Sequence, residues 1–204
     1  DYNEKKDELI CVSSVEDCIY LFSCTQNKVI KKINFKKSSS SLNSNHHIND
    51  VKFLDDQIFI TFFSATGSWK QGLFDGGIAK LDLNKKDEEF EIISNNSTQP
   101  HSPELIDGSV SFCDSCNMNV ILGGQKKPLN FNGYVRGLDQ HSQHIFVGQS
   151  ETMYLSRMMK NNKLLELTSG IHIVNYSLNV SRFLPTFGIC NIHDIKVINF
   201  SVKE

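Results

Sequence analysis

His47-Ile48-Asn49-Asp50-Val51-Lys52-Phe53-Leu54, followed by Gln57 to Ser64, Gly77 to Leu83 and Phe90 to Ser94, decides the fold. Each run is short, rich in β-branched and aromatic residues, and bounded by Asn, Asp, Gly or Ser, as strands joined by turns are. Helical spacing of apolar residues is nearly absent from the chain, so these runs read as four consecutive strands of one sheet. The plan then repeats. A second group runs His101 to Ile106, Ser109 to Asp114, Met118 to Gly123 and Leu129 to Phe131, and a third runs Tyr134 to Gln140, Ile145 to Gln149, Gly170 to Tyr176 and Val180 to Leu184.

Cys190 to Asn199 opens a fourth group that lacks its remaining strands, while Leu9 to Ser14, Ile19 to Cys24 and Val29 to Phe35 are three strands with no first member. Joined, the two ends make one blade. The expected architecture is therefore all-β: a single β-propeller domain over residues 1–204, built of about four short four-stranded blades, with the ring closed by strands from both termini. A fragment of a five- or six-bladed ring fits the same repeat. A β-sandwich is the structural runner-up, since it also supplies many short strands, but it does not call for a polar opening to every fourth strand. Residues 36 to 46, polar and Ser-rich, read as a surface loop.

The 204 residues, 39% hydrophobic and 22% charged, suffice for a sizeable core. A net charge of -2 leaves no basic footprint for nucleic acid or for an anionic membrane surface, so neither partner is expected. No apolar run approaches the roughly 20 residues that cross a bilayer, and Asp1 to Glu8 is charged where a signal peptide would be apolar. The six cysteines, at 11, 18, 24, 113, 116 and 190, are scattered and often sit in apolar strands, which suits free thiols in a reducing, cytoplasmic compartment. Cys113-Asp-Ser-Cys116 is one CxxC without a second pair, so neither zinc nor redox chemistry is expected of it.

Chemistry gathers at the strand openings. The four inferred inner strands begin His47-Ile-Asn49-Asp50, His101-Ser-Pro103-Glu104, Tyr134-Val-Arg136-Gly137 and Asn191-Ile-His193-Asp194. Side chains alternate along a strand, so His47 with Asn49, Tyr134 with Arg136, and Asn191 with His193 share a face. In an up-and-down blade the turn between second and third strands lies at the same end as the start of the first, which brings two long loops over these openings. One, residues 65–76, carries the only Trp, Trp69; the other, 150–169, carries Met153 and Tyr154 and has the spacing of a short helix. Imidazoles beside carboxylates suit a divalent metal or acid–base catalysis, and an Arg among them suits an anion.

The candidate catalytic residues are therefore His47, His101, Arg136 and His193, with Asn49, Asp50, Glu104, Trp69, Asp194 and Tyr154 lining the ligand site at one channel mouth. The ligand class this implies is a small anion of the sugar-acid kind, and the sequence does not choose between a binder and an enzyme. The competing expectation is a protein–protein interaction scaffold. Its His and Asp residues tie blades together through buried hydrogen bonds, while Trp69, Phe74, Met153 and Tyr154 anchor a partner.

An ordered series of motifs resembles a family of uncharacterised, mostly bacterial β-propeller proteins described only as a domain of unknown function. It comprises His47-Ile-Asn49-Asp50, Gly67-Ser-Trp69, Gly76-Gly77, His101-Ser-Pro103, Gly133-Tyr-Val-Arg136-Gly137-Leu138, Phe146-Val-Gly148 and Gly170-Ile-His-Ile-Val. The resemblance covers about residues 47–198. It implies a propeller and the shared polar positions, and names no substrate.

Overall fold

A computed structural model describes residues 1–36, 45–54, 56–85, 87–151, 165–178 and 180–198. It forms four four-stranded sheets, with the strands of each following chain order. The first holds β1 (Tyr2–Asn3), β2 (Glu8–Ser13), β3 (Cys18–Ser23) and β4 (Lys28–Asn34). The second holds β5 (Ile48–Leu54), β6 (Gln57–Phe62), β7 (Gly76–Asp82) and β8 (Glu91–Ser97). The third holds β9 (Pro100–Ile106), β10 (Ser109–Asp114), β11 (Asn119–Ile121) and β12 (Leu129–Asn130). The fourth holds β13 (Tyr134–His141), β14 (His144–Ser150), β15 (Gly170–Asn175) and β16 (Val180–Pro185).

Turn chemistry explains the tight links. Asp7, Asp17 and Asn27 each adopt a left-handed backbone just before a strand, with φ of 52°, 51° and 50°, where short polar side chains are tolerated best. Asp107-Gly108 has φ of 48° and 75° at the β9–β10 hairpin, the signature of a two-residue turn whose twist matches its strands. In one particular the first sheet differs from the sequence expectation. Its first member is Tyr2–Asn3, paired with Leu9 and Glu8, and residues 190–198 form no strand. The Asn3 side chain accepts the Lys5 and Lys6 amides and turns the chain back within four residues, a device that alternation of apolar residues does not reveal.

The chain folds as two compact units, Asp1–Pro103 and Glu104–Glu204, and β9 crosses the boundary. In the first unit the core is a contiguous cluster that includes Ile10, Leu21, Phe35, Ile58, Phe62 and Leu81. β6 is buried along almost its whole length because it is an inner member of its sheet, covered on both faces, and each such Ile or Phe contributes about 2–3 kcal/mol on burial. In the second unit Val120, Val135, Leu138, Ile145 and Val147 form the main cluster, and Cys116, Met118 and Tyr134 form a smaller one. The outer strand β16 is mostly exposed, and Arg182 and Pro185 on it are residues that blunt an open edge. No helix among the described residues is long and apolar enough to cross a membrane.

Candidate functional site

In the first unit the start of β5 is tied down by one carboxylate. Asp17, in the β2–β3 turn, accepts the backbone N–H of Asn45 at 2.7 Å, of His46 at 2.8 Å and of Ile48 at 3.2 Å. Gathering these donors on one carboxylate bends the chain so sharply that His47, which lies between them, takes a left-handed φ of 52°. That conformation turns its imidazole onto Phe63 and Trp69, with ring centroids 4.4 Å away in each case. Phe63 also packs on Phe74 at 6.3 Å and edge-on to His101 at 5.5 Å.

Three sequence-predicted residues, His47, Trp69 and His101, thus meet around a phenylalanine that the sequence reading passed over. Trp69 is presented by a 3-10 turn, Trp69–Gln71, within a loop that is locked internally. Ser64 Oγ donates to Asp75 Oδ1 at 2.6 Å, the Thr66 amide to Asp75 Oδ2 at 3.2 Å, and the Ser68 amide to Ser64 Oγ at 3.0 Å. Burial pushes the His47 pKa below its ordinary value, Asp17 opposes the shift and Lys70 adds to it. His101 is buried against Phe63.

Asn49 and Asp50 lie one and two residues further along β5 and join it to β9. Asn49 donates to the Pro100 carbonyl at 3.1 Å and accepts Thr61 Oγ1 at 2.6 Å. Asp50 accepts the Val51 amide at 3.1 Å on one oxygen and the Ser102 amide at 2.9 Å on the other. Both oxygens of this carboxylate thus take backbone donors, one from its own strand and one from β9, the second a charge-assisted tie between strands. His46, also passed over, donates from Nδ1 to the Ser64 carbonyl at 2.8 Å and fixes the loop to the strand start.

In the second unit Arg136 and His193 come together. Arg136 sits in β13 where the register with β14 slips between Val135 and Leu138, a bulge that re-aims its side chain. Residues 190–197 run beside it and are clamped at three points. The Glu151 amide donates to the Cys190 carbonyl at 2.7 Å; Ser150 Oγ both donates to the Ile192 carbonyl and accepts the Ile192 amide, each at 3.0 Å; the Val197 amide donates to Asp139 Oδ2 at 2.6 Å.

Two glycines permit this approach. A Cβ on Gly137, whose φ is 86°, would stand 3.0 Å from the backbone at Asp194 and Ile195, and one on Gly148 would collide with the Arg136 carbonyl oxygen and with Ile192 Cγ2. The Arg136 charge is the first cause that lowers the His193 pKa, and burial is the second. The Nε of Arg136 is buried and makes no hydrogen bond among the described residues, and none of their carboxylates pairs with this guanidinium. Asp194 folds back on the Ile195 amide at 2.8 Å, and Glu104 on the Leu105 amide at 3.0 Å.

Tyr154 and Met153 lie outside the described residues. The sequence reading also passed over Asp17, Asp139, Ser150 and a half-buried imidazole on β15. His172 Nε2 lies 3.0 Å from Gln149 Oε1, and Gln149 Nε2 donates to the Thr168 carbonyl at 2.8 Å, so the amide's oxygen faces the ring and His172 carries its proton on Nε2. Phe131 and Phe183 pack on the imidazole at 4.8 and 4.6 Å, and burial pushes its pKa down to about 4. Among the described residues no group of three or more His, Cys, Asp or Glu could hold a metal ion.

A family model described as "Domain of unknown function (DUF4915)" matches residues 1–202, reaching well beyond the 47–198 over which the motifs run. No match is found among curated proteins. Among solved structures, a chain of a nidogen/laminin complex superposes with a TM-score of 0.56 at 12% identity, over 90% of this chain and 63% of its own length. This chain therefore spans less than two thirds of that relative. A luciferin-regenerating enzyme superposes with a TM-score of 0.52 at 12% identity, over 95% of this chain and 76% of its own. At such identity the likeness speaks to fold alone: four four-stranded antiparallel sheets in chain order, a β-propeller of four blades.

Proposed function

The chain belongs to the family described as a domain of unknown function (DUF4915), whose description carries no activity, and we propose that it binds a small anionic ligand, of the sugar-acid kind, on Arg136 and His193. One observation carries the reading: a guanidinium with a buried Nε that has no hydrogen bond and no ion-pair partner among the described residues. A buried donor left unmade costs about 1–3 kcal/mol, and more when it is charged, so the site is stabilised by an anion that completes it. The guanidinium fork matches a carboxylate bidentately, and the neighbouring imidazole supplies a second donor.

Isothermal titration calorimetry with glucuronate tests this. Arg136→Gln is expected to weaken binding by roughly 10- to 150-fold, the equivalent of one charge-assisted interaction. Equal binding by wild type and Arg136→Gln overturns it. The free cysteines support a reducing compartment, so a cytoplasmic location is part of the proposal.

The ring cluster of the first unit favours a second reading, an interaction scaffold. Leu73 is 51% exposed in the same loop as Trp69, and Asn49 and Asp50 are spent on ties between strands, as structural polar groups would be. Crosslinking from a tagged chain separates the two. A partner lost from a Trp69→Ala/Leu73→Ser variant but kept by Arg136→Gln supports the scaffold, and a partner kept by both removes its support.

A further inference from the structure

His193 is held beside Arg136 by backbone, not by its own side chain. Ile192, immediately before it, makes two hydrogen bonds to Ser150, and the Asp194–Ile195 backbone after it lies over Gly137. The segment cannot swing away from the bulge without losing the Ser150 pair, the Cys190 carbonyl bond and the Val197–Asp139 bond together. A guanidinium and a titratable imidazole are therefore confined to one spot.

Three carboxylates on the packed elements are already engaged. On β13, Asp139 takes the Gln140 and Val197 amides and has Lys196 at 3.7 Å; after β14, Glu151 is hydrogen-bonded to the Cys190 thiol and raises its pKa; on the segment itself, Asp194 caps the Ile195 amide. Of all these, Arg136 alone acts on His193 as a charge.

Building on the anion-binding reading, we propose that the oxyanion seated on Arg136 is taken up together with one proton, which His193 accepts, so that the filled site holds an imidazolium beside the guanidinium. The proton comes from solvent or buffer and goes to an imidazole nitrogen; no bond in the ligand is made or broken. Without a bound anion the repulsion of Arg136 holds the His193 pKa below its ordinary value. A bound oxyanion cancels that charge and adds its own, which reverses the first cause of the depressed pKa and favours the charged ring. By linkage, an anion that favours the protonated ring is itself bound more tightly when the ring is protonated. Affinity therefore rises as pH falls between the bound-state and free-state pKa values of His193, and is flat outside that window.

The experiment is calorimetric titration of the full chain with sulfate and, separately, glucuronate, across about pH 5 to 8 and in buffers of different ionisation enthalpy. Neither probe titrates in that range. Wild type is expected to take up a fraction of a proton that peaks near one, with affinity tightening by up to roughly tenfold per pH unit inside the window. His193→Gln is expected to bind with no pH dependence and no proton uptake. An NMR titration of the His193 ring in wild type, with and without sulfate, reads the same upward shift without any substitution. Binding by wild type with no proton uptake and an unmoved His193 titration overturns the inference and leaves the anion site standing. Absence of binding by both probes, or equal binding by Arg136→Gln, sinks the anion site and the inference with it. Response to sulfate alone, or to glucuronate alone, with proton uptake supports the inference and tells a bare inorganic oxyanion from a sugar acid.

Discussion

Each unit presents an imidazole whose pKa is lowered, His47 just before β5 and His193 in a segment that forms no strand, but for different reasons. His47, in the first, is lowered chiefly by burial among Phe63 and Trp69, while His193, in the second, is exposed and lowered chiefly by the charge of Arg136. The residue type and the direction of shift are the same, yet one environment is apolar and the other electrostatic. The lesson is that a histidine at a repeated position has no fixed role: a phenylalanine hub makes it part of a packed cluster, and a bulged arginine makes it a charge-sensitive group.

The comparison can be broken most forcefully at its hub. Phe63→Ala is expected to destabilise the first unit by about 3–5 kcal/mol in chemical denaturation, because the residue is 3% exposed and touches four other rings. If it costs less than about 1 kcal/mol, His47 and Trp69 do not depend on a shared packing core.

A third imidazole calibrates what burial alone does. His172 has a folded pKa of about 4, below its unfolded value, so the folded state binds fewer protons. The stability this contributes is whole above about pH 6.5 and is lost as pH falls toward about 4, amounting to about 2 kcal/mol after allowance for solvent screening. Thermal melts of wild type against His172→Phe over that range measure it, and parallel pH profiles would refute the assignment.

Smaller effects test the ties. Asp50→Asn is expected to cost about 1–2 kcal/mol, since the charge-assisted bond to the Ser102 amide becomes a neutral one or is lost; an unchanged denaturation midpoint would show that the tie is dispensable. Smallest of all is the response to salt. Raising ionic strength to about 1 M shortens the screening length to about 3 Å and is expected to move the NMR-observed titration of His193 upward while leaving that of His47 in place. Arg136→Gln should do the same. If both rings respond alike, the electrostatic half of the contrast is wrong.

Much of the strand plan was legible. Period-2 apolar runs with Asp, Asn and Gly between them mark β5 to β7, β9, β10, β13 and β14 because turn residues and alternation are local signals. The two-residue β1 was not, since it contains one apolar residue and is made by the Asn3 turn. Of the candidate site, the polar openings could be read. The gathering of His47, Trp69 and His101 could not: it depends on Asp17 collecting three amides and on Phe63, which in sequence is one more apolar residue at the end of a strand.

Local chemistry in the chain was enough to determine sheets rather than helices, the order of strands within every sheet but the first, and the reversal at turns such as Asp107-Gly108, because backbone sterics and alternate burial act over a few residues. Only the tertiary structure decided which polar openings became ties between strands and which came to lie beside the charge of Arg136. Contacts such as Ser150 with Ile192, Asp139 with Val197, and Asp50 with Ser102 join residues more than forty apart, and no local periodicity encodes them.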